Sequence, residues 1–144
     1  MINFFNKCDV FKVTNKTLLR SWIRDTILDN SRKVGDINII YCTDPYLLEM
    51  NNKYLHHNYF TDVITFDTSD YFEKNDKISG DIFISIDTVK ANALEYNTTF
   101  DEEFHRVTIH GVLHLLGFDD LNEEQSSEMR KMENKYLEKF YSQC

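Results

Sequence analysis

The stretch HGVLHLLGFDD, residues 110–120, constrains this chain more than any other. Two histidines stand four residues apart in an apolar run. A glycine follows three residues after the second, and an aspartate three residues after the glycine. On a helix, residues four apart lie one above the other on the same face, so His110 and His114 can aim two imidazoles at one ion. A third ligand has to approach from another direction, which requires the helix to stop and the chain to turn back. Gly117 suits a left-handed stop, and Asp120 then completes a three-ligand facial site with an open position for water. Zinc takes imidazole nitrogen and carboxylate oxygen at about 2.0–2.2 Å. The spacing is that of the extended zincin pattern H-x-x-x-H-x-x-G-x-x-[HD]. One divalent metal ion, zinc first among the candidates, is therefore expected on His110, His114 and Asp120, which would be catalytic through it. Asp119 is the nearest competitor to Asp120 as ligand. Two plainer readings share the pattern: ordinary helix histidines, or an ion that only pins the helix end.

The residue after the first histidine carries its own information. Zinc peptidases place a glutamate there as general base, but this chain has Gly111, which moves no proton. Peptidase chemistry is therefore disfavoured. Metal chemistry without an adjacent protein base stays open, because a metal-bound water ionises near pH 7.

The rest of the chain bounds the setting. At 144 residues, with 42% hydrophobic and 14% aromatic content, it should form one packed domain over residues 1–144. A net charge of −8 argues against a general polyanion binder, and DNA is not expected as a partner. A local basic groove remains compatible with an acidic body. Cys8, Cys42 and Cys144 are odd in number and contain no CxxC, so neither a disulfide framework nor a cysteine zinc site is expected. No apolar run has the length of a leader or a membrane span. A soluble cytoplasmic protein without membrane contact is the expectation.

Apolar periodicity predicts strands at 2–5, 37–43, 61–67 and 80–86, with a polar turn or hairpin loop over 68–78. Helices are predicted over NKTLLRSWIRDTILDNS and over DPYLLEMNNKYL, the latter with Asp44 as N-cap and Pro45 in the first turn. A third is predicted over 87–97, capped by Asp87. A fourth starts with the capping box Thr99/Glu102, and a fifth with Asn122/Gln125. In the last helix, Met129, Met132, Leu137 and Phe140 form a core stripe. The sum is an α+β fold: a small mixed four-stranded sheet packed with about five helices, and a zincin-like metal site at a helix end.

HGVLHLLGFDD, together with TDVITFD and GDIFIS upstream, resembles the YbeY-type bacterial endoribonucleases, the rRNA maturation factors. The resemblance runs through nearly the whole chain. It implies a metal-dependent, single-strand-specific endoribonuclease acting in 16S rRNA 3′-end maturation and ribosome quality control. The partners implied are rRNA and the small ribosomal subunit. The implied metal is zinc, on the three motif positions, which fall here on His110, His114 and Asp120.

Two residues depart from that family's pattern. Its last histidine is Asp120 here, an anionic and harder ligand, which leaves metal identity open. Its cleft arginine, in a segment reading YRxxDxPTDV, falls on Leu55 of YLHHNYFTDV. Candidates for the missing cation are Lys53, His56, His57 and Arg106. Arg106 stands one turn before His110 and either reaches substrate beside the metal or pairs with Glu102 or Glu103. Arg106 and His57 are the further catalytic candidates. Thr61 and Asp62 join Lys53, His56 and His57 as substrate-binding candidates, and Tyr54, Tyr59 and Phe60 could stack bases. A rival from another class is a ribosome-assembly binding module with little or no catalysis, which Leu55 and the acidic balance favour.

Overall fold

The computed structural model describes residues 1–8, 11–55, 63–69 and 76–143, with the side chains of Tyr54 and Leu55 also outside the description. In chain order the elements are β1 (Ile2–Asn6), α1 (Lys16–Asp29), β2 (Lys33–Cys42), α2 (Asp44–Leu55), β3 (Val63–Asp67), β4 (Lys77–Ser85), α3 (Ile86–Glu95), α4 (Phe100–Leu115) and α5 (Glu123–Ser142). The four strands form one sheet in the order β1-β2-β4-β3. β1, β2 and β4 run parallel, and β3 lies antiparallel along the β4 edge. The expected mixed sheet and five helices are present, an α+β architecture.

Strand alternation divides the hydrophobic residues between two faces. Ile37, Ile39 and Tyr41 of β2, with Ile78, Ile82 and Ile84 of β4, are fully buried and join one core with Trp22, Ile23 and Ile27 of α1. Val107, Val112 and Leu113 of α4 and Tyr136, Leu137 and Phe140 of α5 close that core. The opposite face holds a smaller cluster: Ile40, Cys42, Ile64 and Phe83 under Leu47 of α2. The larger layer positions the candidate site, because it fixes α4 on the sheet and α5 on α4.

Four local expectations need correction. β2 starts at Lys33 and not at residue 37, because Lys33 and Val34 pair with Lys77 and Ile78 beyond a register shift. The same pairing extends β4 back to Lys77, into the stretch read as loop. Glycine and charge in KVGD hide the strand from a search for alternation. Asp87 is not the cap of α3. Ser85 fills that role, its hydroxyl accepting from Thr88 N–H at 3.2 Å, while Asp87 accepts from the backbone N–H of Asp44. Asp44 begins α2, but its carboxylate accepts from the hydroxyls of Ser85 and Thr88. It therefore ties two helix starts together instead of capping its own helix. The other boxes form as expected: Thr99 Oγ1 accepts from Glu102 N–H at 3.1 Å and Asn122 Oδ1 from Gln125 N–H at 2.8 Å.

Candidate metal centre

Helix α4 has two opposed faces, and Gly111 decides how closely the inner one approaches the sheet. A Cβ at Gly111 would stand 2.7 Å from Ile82 Cγ2 and 3.3 Å from Val63 Cγ1. The position after the first histidine is thus pressed onto the sheet, with no room for a side chain and no route for one to the opposite face. A glutamate base is absent there for a steric reason as well as a chemical one.

On the partly open side, His110 and His114 keep 18% and 24% side-chain exposure, and Asp120 keeps 38%. The helix ends as the sequence predicts. Gly117 takes φ +103°, in the region that favours glycine. Its N–H bonds the His114 carbonyl at 3.0 Å, and Phe118 N–H bonds that of Leu113 at 3.1 Å. Ser126 Oγ then donates to the Asp120 carbonyl at 3.2 Å, fixing the returning chain to the start of α5. Asp120 arrives with Oδ2 3.5 Å from His110 Nε2 and Oδ1 3.5 Å from His114 Nε2, while the two Nε2 atoms are 2.9 Å apart.

These distances fit a small divalent cation. Ligands at about 2.0–2.1 Å from a tetrahedral ion stand roughly 3.3 Å from one another, close to the three spacings here. One donor atom from each of His110, His114 and Asp120 falls within 4.8 Å of the other two. Both ring nitrogens cannot carry hydrogens at 2.9 Å, so the pair shares either one proton or one cation. Burial and the neighbouring His110 push the pKa of His114 below its ordinary 6.5, against the pull of Asp120 and Asp119. The ring is therefore neutral near pH 7, the form that binds a metal.

Behind His110 stands a carboxylate that the sequence reading did not single out. Glu133 of α5 is 7% exposed; its Oε2 lies 2.8 Å from His110 Nδ1, and its Oε1 accepts from Arg106 Nη1 at 3.0 Å. Burial works to raise its pKa, but the hydrogen bonds and charges of His110 and Arg106 outweigh burial and hold it below the usual glutamate value. The available signal was its position. Glu133 sits four residues from both Met129 and Leu137, so the core stripe of α5 contains an acid.

The remaining candidates divide. Arg106 reaches neither Glu102 nor Glu103; it donates to Glu133 and, through Nη2, to Asn134 Oδ1 at 2.8 Å. The expected ion pair with Glu102 or Glu103 is corrected by the packing of α5 against α4, a contact far apart in sequence. Asp119 is not part of the three-ligand cluster. Lys53 is exposed on α2. His56, His57, Tyr59, Phe60, Thr61 and Asp62 lie outside the described residues, as do the side chains of Tyr54 and Leu55.

Fold and site together define a class: an α+β protein with a candidate two-histidine, one-carboxylate metal centre where a helix reverses. The sequence model of the family described as Endoribonuclease YbeY matches residues 3–141. Three proteins named Endoribonuclease YbeY illustrate the similarity. That of Azobacteroides pseudotrichonymphae is 42% identical over 92% of this chain and 92% of its own. That of Parabacteroides distasonis is 44% identical over 90% and 88%, and that of Flavobacterium psychrophilum 41% identical over 98% and 97%. The solution structure of TM1509 from Thermotoga maritima superposes with a TM-score of 0.65 at 26% identity, covering 99% of this chain and 91% of that one. The chain belongs to the YbeY endoribonuclease family. Among the described residues, no helix is long and apolar enough to cross a membrane.

Proposed function

We propose that this chain is a single-domain, metal-dependent endoribonuclease that cleaves single-stranded RNA. It would act on 16S rRNA during 3′-end maturation and in ribosome quality control, in the cytoplasm and on the small subunit. The observation that carries this reading is the convergence of His110, His114 and Asp120 at metal-ligand spacing. In it, these three hold one divalent ion, zinc by its match to two imidazoles and a carboxylate. When bound, the ion would supply Lewis-acid polarisation of a phosphodiester oxygen and a more acidic water. Gly117 aims Asp120 back at the histidine face, and Gly111 keeps that face at a fixed height above the sheet. Substrate binding falls to Lys53, His56, His57, Thr61 and Asp62, with His57 a further catalytic candidate. The harder, anionic Asp120 should leave the bound water less acidic than a third imidazole would.

The test is made on protein purified without tag histidines. Metal content and cleavage of a single-stranded rRNA fragment are measured in the wild type, His114→Ala and His110→Ala. Near-stoichiometric metal and cleavage in the wild type, both lost in the variants, are expected. Equal, near-zero metal in all three would end the enzymatic reading.

A second reading keeps the fold and the ribosome but not the catalysis. It is favoured by Leu55 in the place of the family's arginine and by the engagement of Arg106 with Glu133 and Asn134. Ribosome association that survives in His110→Ala, with no cleavage by the wild type, would select it. The zinc-peptidase reading has no support in the packing around Gly111.

A further inference from the structure

Resting on the metal reading above, we infer that Glu133 and Arg106 are positioning residues for the metal centre: α5 sets the orientation and tautomer of His110, and Arg106 serves that carboxylate instead of RNA. Both oxygens of Glu133 are engaged, one by each residue. Oε2 meets His110 Nδ1 at 2.8 Å and Oε1 meets Arg106 Nη1 at 3.0 Å, while Arg106 Nη2 is tied to Asn134 at 2.8 Å. An ionised carboxylate accepts and does not donate. In the neutral form that a metal requires, the hydrogen of the His110 ring would therefore sit on Nδ1, which faces Glu133, and leave Nε2, which faces His114 and Asp120, free to bind the ion. Arg106 and His110 are four apart on α4, so one carboxylate from α5 spans both and locks the rotation of the ring.

The arrangement is poorly explained as a device for stability. Burying an ion pair costs desolvation that its attraction only partly offsets, and apolar side chains of similar volume usually serve a core at least as well. Glu133 stands between Met129 and Leu137, both buried, where a leucine or methionine would fill the space. A carboxylate there does what an apolar residue cannot, by fixing which nitrogen of His110 carries the hydrogen. Partners of this kind beyond the ligands commonly govern metal affinity about 10–100-fold. Arg106, 16% exposed with both terminal nitrogens engaged, is the counter-charge that lets the acid stay there. Arg130 reaches the same oxygen only at 4.0 Å, from a 60% exposed side chain.

Zinc affinity is measured by chelator competition on wild type, Glu133→Ala, Glu133→Gln and Arg106→Gln, with the absorption spectrum of each protein loaded with cobalt(II). Melting of the metal-free proteins runs in parallel. Glu133→Ala should weaken zinc about 10–100-fold and shift the cobalt spectrum. Glu133→Gln, whose amide oxygen still accepts from Nδ1, should lose less, and this variant decides the matter if the alanine fails to fold. Arg106→Gln should weaken zinc while leaving RNA affinity and its salt dependence as in the wild type. Wild type that binds zinc with both Glu133 variants matching it overturns this inference and leaves the proposed function standing. Wild type that binds no zinc overturns the proposed function itself. Arg106→Gln with unchanged zinc affinity, weaker RNA binding and a salt slope smaller by about one returns Arg106 to the substrate.

Discussion

Helices α4 and α5 start alike and divide the work differently. Both open on a side-chain cap with acids in the first turn, Thr99 before Asp101, Glu102 and Glu103, and Asn122 before Glu123 and Glu124. Both bury one long face. On α4 the chemistry lies away from the core, where polar ligands punctuate an apolar run in a spaced pattern. On α5 it lies inside the buried stripe, as one acid among Met129, Tyr136, Leu137 and Phe140. A ligand has to be reachable and so stands out in sequence. A residue that orients a ligand has to be buried behind it, and so hides among core positions.

The largest expected effect breaks the comparison on the α4 side. Gly111→Glu restores the zinc-peptidase pattern in sequence, but its Cβ would stand 2.7 Å from Ile82 Cγ2 and carry a carboxylate into a buried face. Overpacking costs about 1–3 kcal/mol, and an unpaired buried charge adds several more. The sum approaches the roughly 5–15 kcal/mol that holds a typical domain together. The variant should be largely unfolded by circular dichroism and should show no casein proteolysis. A folded Gly111→Glu protein that cleaves peptide would mean that the inner face of α4 is not where the structure puts it.

What the sequence revealed follows the same division. The α4 motif, its glycine stop and both caps depend on residues within about one turn of each other, and all could be read from spacing. β3 and the centres of β2 and β4 could be read from β-branched runs, and β1 from the short apolar stretch INFF. The errors came from contacts distant along the chain. The start of β2 is defined by its pairing with Lys77, and Asp87 is drawn to Asp44, 43 residues away. Arg106 was read against Glu102 and Glu103 of its own helix, whereas its partner comes from α5, 27 residues on. The placement of Glu133 was legible in the α5 stripe, but its purpose was not, because the stripe does not say that a histidine faces it.

Phe140→Ala sharpens the contrast within α5, with the next largest effect. Phe140 is 3% exposed, with its ring 4.6 Å from Trp22 and 4.4 Å from His105. Truncating a buried phenylalanine costs about 3–5 kcal/mol, so urea midpoints should fall accordingly. In the fraction that stays folded, zinc affinity should stay within a few fold of wild type, because Phe140 lies two turns from Glu133 and packs on Trp22 and His105. Residues of one stripe then separate cleanly: Phe140 moves stability and leaves the metal, while Glu133 moves the metal. A similar loss of zinc affinity in both variants would mean that α5 acts on the site only by being packed.

The smallest effect compares the two helix starts. Thr99→Ala and Asn122→Ala each remove one cap, worth about 1 kcal/mol and at most about 2, so their melting temperatures should fall by similar, modest amounts. Their effects on the metal should differ. Thr99 opens α4 some three turns before His110, so its cap should leave the ligands in place. Asn122 lies two residues after Asp120, where Leu121 N–H donates to Gln125 Oε1 at 2.9 Å and Ser126 Oγ holds the Asp120 carbonyl at 3.2 Å. Loosening that start frees the short chain that delivers the carboxylate, while His110 and His114 stay on an intact helix. Asn122→Ala should therefore weaken zinc binding several fold where Thr99→Ala leaves it unchanged, in the same chelator competition. Identical zinc affinities would show that Gly117 and the turn bonds to Leu113 and His114 alone place Asp120, and that α5 contributes to the site through Glu133 and not through its first turn.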